Sequence, residues 1–108
     1  MIKVTVMYPY TDGTRFDHAY YRDRHMPMVK ARLASACAYY TVEKGLAGRA
    51  PGAQPAFVAM CAFICGSVEG YQAALQEHAA EILSDITNYT DIAPLVRISE
   101  VVVERSDR

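Results

Sequence analysis

The chain is short of most features that would assign it to a familiar class. No apolar run approaches the roughly 20 residues that span a bilayer, so no membrane-crossing helix is expected. No basic stripe is present: 11 Lys and Arg stand against 12 Asp and Glu, for a formal net charge of −1, which argues against a nucleic-acid partner. No glycine-rich phosphate loop follows the first strand-like segment, and no G-x-S-x-G motif occurs. The three histidines have no Asp or Glu at ligand spacing, so there is no metal signature, and no cofactor is expected. Cysteine is scarce and odd in number: Cys37, Cys61 and Cys65. The C-x₃-C spacing is neither a zinc nor a redox pattern. On one strand Cys61 and Cys65 would lie about 13 Å apart, too far for a disulfide. Buried, reduced thiols and a cytoplasmic setting follow as expectations. The first residues alternate in polarity rather than forming a continuous apolar stretch, and read as a first strand rather than a signal peptide.

What remains is a chain of 108 residues, 52% hydrophobic and 21% charged, enough for one domain over 1–108 with a packed core. Ile2, Val4, Val6 and Tyr8 alternate with Lys3, Thr5 and Met7, which predicts a half-buried strand over 2–8. Pro9 to Thr14 reads as a loop, and Asp17 as the cap of a helix reaching about Ala34. A second strand is predicted from Tyr39 to Lys44, then a long connection from Gly45 to Pro55. The third strand, Ala56 to Cys65, is apolar on both faces. Ser67 caps a second helix whose stripe is Val68, Tyr71, Leu75, His78, Ile82 and Ile86. Asn88-Tyr89-Thr90-Asp91 ends it, Pro94 precedes a last strand from Leu95 to Glu104, and 105–108 is a polar tail.

The order βαββαβ is that of the ferredoxin-like α+β sandwich: a four-stranded antiparallel sheet with both helices on one face. The other face, with the third strand and Val101-Val102-Val103, is bare and apolar, which marks an association surface. A homodimer with sheet facing sheet is expected.

One segment is odd for a helix. Pro27 stands two residues after His25, and a proline inside a helix costs about 3 kcal/mol. Tyr21 and His25 share a face, four residues apart. An imidazole there can move a proton and the phenol can polarise an oxygen, or His25 is simply a half-buried histidine satisfied by a backbone carbonyl. His78, on the stripe with Tyr71, is either a pocket acid or base or a core histidine with one hydrogen bond. His18 and Asp17 are expected to be solvated, as is the charged run Arg22-Asp23-Arg24.

The run Phe16-Asp17-x-x-Tyr20-Tyr21-x-x-x-His25-Met26-Pro27-Met28-Val29 resembles the signature of the EthD family, which takes its name from ethyl tert-butyl ether degradation. The run from His78 through Asp85-Ile86-Thr87-Asn88-Tyr89-Thr90-Asp91 and Pro94 is similar to that family's second segment. The resemblance implies the dimeric α+β barrel, in which two ferredoxin-like subunits pack sheet to sheet. It also implies the company of oxidative degradation systems, and a cavity between helices and sheet worked by histidine and tyrosine.

By matched position Tyr21, His25 and His78 are the candidate catalytic residues. Asp85 and Asn88 are candidate binding residues, unless they merely end the helix and cap the turn. Two functions stand side by side. One is an enzyme without metal or organic cofactor, moving protons on a small apolar or aromatic molecule. The other is an accessory or carrier protein for an oxygenase system. A haem or redox barrel is a third, resting on fold analogy alone.

Overall fold

The computed structural model describes residues 1–106; the last two residues of the expected polar tail lie outside the described residues. Four strands form one antiparallel sheet: β1 (Ile2–Pro9), β2 (Cys37–Lys44), β3 (Phe57–Cys65) and β4 (Leu95–Glu100), in the order β2-β3-β1-β4. The protein is ferredoxin-like α+β, with its two helical segments on one face of the sheet.

Alternation along β1 decides which side is core. Val4 pairs with Phe63 and Ile98, and Val6 with Cys61 and Val96, so these residues share the helix-facing side. On the other side Thr5 pairs with Ala62 and Arg97, and Met7 with Met60 and Leu95. No helix among the described residues lies over that outer face. Its apolar centre is the β3 row Met60, Ala62 and Ile64, as the sequence of β3 indicates, with Lys3, Glu43 and Arg97 on the flanking strands.

The second helix, α2 (Val68–Asp85), begins where Ser67 accepts a hydrogen bond from the Gly70 N–H at 3.0 Å. A short 3₁₀ turn, Ile86–Asn88, closes it. The first helix is less regular than its sequence suggests. Call its three parts together α1: an α-turn His18–Tyr20, a π-turn Tyr21–His25, and an α-helix Met26–Leu33. Asp17 caps it by accepting from the Tyr20 N–H at 3.0 Å.

The π-turn explains the proline. Within a continuous α-helix the Pro27 ring would press on the carbonyl of Asp23. Here the Met26 N–H reaches back to the Tyr21 carbonyl, inserting one extra residue, and Pro27 falls in the first turn of the following α-helix, where proline is tolerated. The same insertion leaves His25 and Met26 buried side by side.

Two boundaries differ from the sequence reading. β2 starts at Cys37 rather than Tyr39, with an irregularity at Ala38 that sets Cys37 opposite Cys65. β4 ends at Glu100 rather than Glu104. Glu100, its last paired residue, stands opposite Ile2, and the Val101 N–H donates to the Met1 carbonyl at 3.1 Å. Val102 and Val103 therefore leave the sheet and are exposed.

Candidate active site

The segment that leads into α1 is stitched to the segment that leaves α2. Phe16 forms an isolated antiparallel bridge with Thr90, the Asp17 N–H donates to the Tyr89 carbonyl at 2.7 Å, and the Arg15 N–H donates to Asp91 Oδ1 at 2.9 Å. The two runs that carry the family signature are thus one structural unit.

Aromatic rings fill the space beneath that seam. Tyr8, Phe16, Tyr21 and Tyr89 meet pairwise at 5.0–6.0 Å between ring centres, mostly edge to face. Each such pair adds about 0.5–1.5 kcal/mol beyond the area it buries. Several together outweigh the exposed Arg22–Asp23 ion pair, which contributes little. The rings, not surface charge, therefore fix where α1 starts.

His25 enters this cluster from the π-turn. Its ring lies parallel to Tyr21 at 5.8 Å and 15°, and 4.6 Å from Tyr89. It is 5% exposed. Its Nδ1 is 2.9 Å from Asp85 Oδ2. Asp85 in turn accepts on Oδ1 from the Tyr20 hydroxyl at 2.6 Å and from Asn88 Nδ2 at 2.9 Å.

Burial holds the imidazole below its ordinary pKa, against the opposing hydrogen bond and charge of Asp85. For Asp85 burial acts upward, but the hydrogen bonds from Tyr20, His25 and Asn88 outweigh it and leave the carboxyl below its ordinary value. Near neutral pH the pair is a neutral imidazole on an ionised carboxylate. Only a donor Nδ1–H satisfies that contact, so the lone pair sits on Nε2.

His25 and Tyr21 line a cavity of about 130 Å³ between the helices and the sheet. Its floor includes Val6, Cys61 and Phe63, and its mouth lies between Leu83 of α2 and Val96 of β4, both exposed. Burial pushes the Tyr21 phenol upward and raises Cys61 to about 11, so both stay protonated.

Of the residues singled out from sequence, Tyr21 and His25 reach the cavity, while Asp85 and Asn88 stand behind His25. The backbone carbonyl considered for His25 is replaced by the Asp85 carboxylate. His78 is half-buried beside Glu81, whose carboxylate is bound by Arg32 of α1 at 2.7 Å, and it does not line the cavity. Helical periodicity places a residue on a buried face without saying whether that face meets sheet, helix or cavity at that turn. His18 is not solvated as expected: it is half-buried, with its ring 4.8 Å from Phe16.

Sequence reasoning gave Tyr8, Tyr20, Tyr89 and Cys61 no specific role in the site. The Tyr8 hydroxyl meets that of Tyr89 at 2.7 Å across 81 positions. Only the period-two pattern that turns Tyr8 inward hinted at this.

The fold is that of the ferredoxin-like proteins. The EthD domain model matches residues 14–93, a span that includes the first signature run, the second as far as Asp91, the π-turn and Asp85. The chain belongs to the EthD family. It is 79% identical to a crystallised EthD-like protein from Ralstonia eutropha JMP134, with a TM-score of 0.96 over 99% of this chain and 96% of that one. An ethyl tert-butyl ether (EthD) family protein from Bacillus halodurans C-125 shares the fold at 18% identity and a TM-score of 0.68, covering 93% of this chain and 97% of that one. A dimeric ferredoxin-like protein from an uncultured marine organism does so at 12% identity and 0.63, covering 98% and 99%. No curated protein matches the chain.

Proposed function

We propose that this EthD-family protein performs acid–base chemistry on a small apolar or aromatic molecule in an oxidative degradative or biosynthetic pathway, using its own side chains. The observation that carries this reading is the 2.9 Å contact between His25 Nδ1 and Asp85 inside an apolar cavity. It leaves Nε2 as the proton acceptor. When Nε2 takes a proton, the Asp85 carboxylate stabilises the imidazolium, and the Tyr21 ring, stacked on the imidazole, holds it in place. Tyr20 and Asn88 hold Asp85 in place and are positioning residues.

The test is a screen of small apolar and aromatic metabolites for product formation. Turnover should fall by about 10²–10⁴-fold in His25→Gln, with the melting temperature retained. Tight binding with no product from any compound would overturn catalysis and make the protein a carrier for an oxygenase system.

The same reading takes the protein as a homodimer joined by the outer sheet faces. Its support is the apolar residues Met7, Met60 and Leu95 on the sheet face that the helices leave uncovered, and the dimeric state of the marine relative.

A further inference from the structure

We infer that the cavity takes an uncharged one-ring molecule that carries a hydroxyl, and that this hydroxyl donates its hydrogen bond to His25 Nε2. This names the substrate class of the site proposed above and rests on that reading for the fate of the ligand.

Asp85 takes only one nitrogen of the His25 ring, Nδ1. Nε2 has no partner among the described residues, and it is not closed off: the unpartnered side-chain oxygens and nitrogens that water cannot reach are the Thr5 and Tyr21 hydroxyls. His25 is almost wholly buried and lines the cavity, so the open edge of its ring, with Nε2, faces into that space. The other polar side chains of the lining are placed differently. The Tyr8 hydroxyl is bonded to Tyr89, and the Tyr21 hydroxyl is closed off beside Tyr8 and Cys61. Tyr71 stands at the far end of the lining, about four turns of α2 before Asp85.

The state of Nε2 decides what the ligand must bring. The Asp85 carboxylate keeps the ring proton on Nδ1, and burial keeps the imidazole neutral, so Nε2 presents a lone pair. A lone pair in an apolar cavity calls for a donor. A hydroxyl supplies one. An ether, a ketone or a hydrocarbon of the same size displaces water from Nε2 and leaves it unpaired, which is costly.

The lining sets charge and size. It contains no Asp, Glu, Lys or Arg, so a carboxylate or an ammonium would be buried here without a counter-ion. A dry apolar cavity of about 150 Å³ takes one benzene. The 130 Å³ here is of that order, and substituents can project through the mouth at Leu83 and Val96.

The experiment compares phenol, anisole, toluene and benzoate as ligands of the wild type and of Asp85→Asn at pH 7.5, by calorimetry. Phenol should bind the wild type about tenfold or more tightly than toluene, which has nearly its shape, and than anisole, which can only accept; benzoate should bind least. In Asp85→Asn the new amide donates to Nδ1, the ring proton moves to Nε2, and the preference for phenol over anisole should fall to about threefold or less. A wild type that fails to bind phenol, or binds toluene or anisole as tightly, overturns the inference. So does a preference for benzoate, or a phenol preference unchanged in Asp85→Asn. The wild-type ranking decides even if the variant folds poorly. A phenol preference with no product from any hydroxylated compound in the metabolite screen upholds the ligand class and overturns catalysis. Turnover of a compound without a hydroxyl, abolished in His25→Gln, upholds the base and overturns the ligand class.

Discussion

Asp85 accepts a hydrogen bond from His25 at 2.9 Å across 60 positions of sequence, and this contact joins the end of one helix to the irregular turn of the other. It gives each residue what it lacks alone. The carboxylate receives three donors and stays ionised, and the imidazole receives an acceptor that selects one tautomer.

That tautomer is directly observable. Nitrogen-15 NMR of the imidazole should show His25 protonated on Nδ1 and bare on Nε2 at pH 7.5. In Asp85→Asn an amide that donates to Nδ1 becomes available, and the proton should move to Nε2. A wild-type signal with Nε2 protonated would remove the general base.

Acid should destabilise the fold in two steps. The folded-state pKa of His25 lies below the ordinary 6.5, so between the two values the unfolded chain binds more protons. This contribution to stability is complete above about pH 6.5 and declines as pH falls through it. Asp85 acts in the same sense lower down, its stabilisation being lost as pH falls through the ordinary 3.8 toward the folded value. Melting temperature measured from pH 7.5 to 2.5 should fall, and His25→Gln should flatten the upper part of that fall.

Pro27 makes the π-turn testable. Were it inside a continuous α-helix, Pro27→Ala would stabilise the protein by about 3 kcal/mol. Because the π-turn has already moved Pro27 into a first turn, the change should stay within about 1 kcal/mol, with slight destabilisation as the unfolded chain gains freedom. Urea denaturation measures it.

Ala34 ends α1 with φ of 50° and ψ of −127°, a conformation that suits glycine. Ala34→Gly should therefore stabilise by about 1 kcal/mol, seen as a rise in the denaturation midpoint.

The sheet-to-sheet dimer predicts that Ala62→Glu, which places a charge at the middle of the outer face opposite Thr5, yields a folded monomer. Sedimentation of wild type and variant, with circular dichroism to confirm folding, checks this. A wild type that already sediments as a monomer would remove the dimer.

The elements of this protein were legible in its sequence because each is set by local geometry. Alternation placed Val4, Val6 and Tyr8 on one face of β1, and Asp17 and Ser67 announced the two helix starts through oxygens within reach of nearby N–H groups. The proline after His25 announced an irregular turn, and the two signature runs announced the family. Tertiary packing alone decided which of these residues meet. It set Asp85, rather than a backbone carbonyl, against His25. It left His78 outside the cavity lining, and it ended β4 at Glu100, opposite Ile2. Local spacing is written in the backbone repeat of one element. A contact between two elements depends on how their side chains fill a common space, and no repeat within either one encodes that.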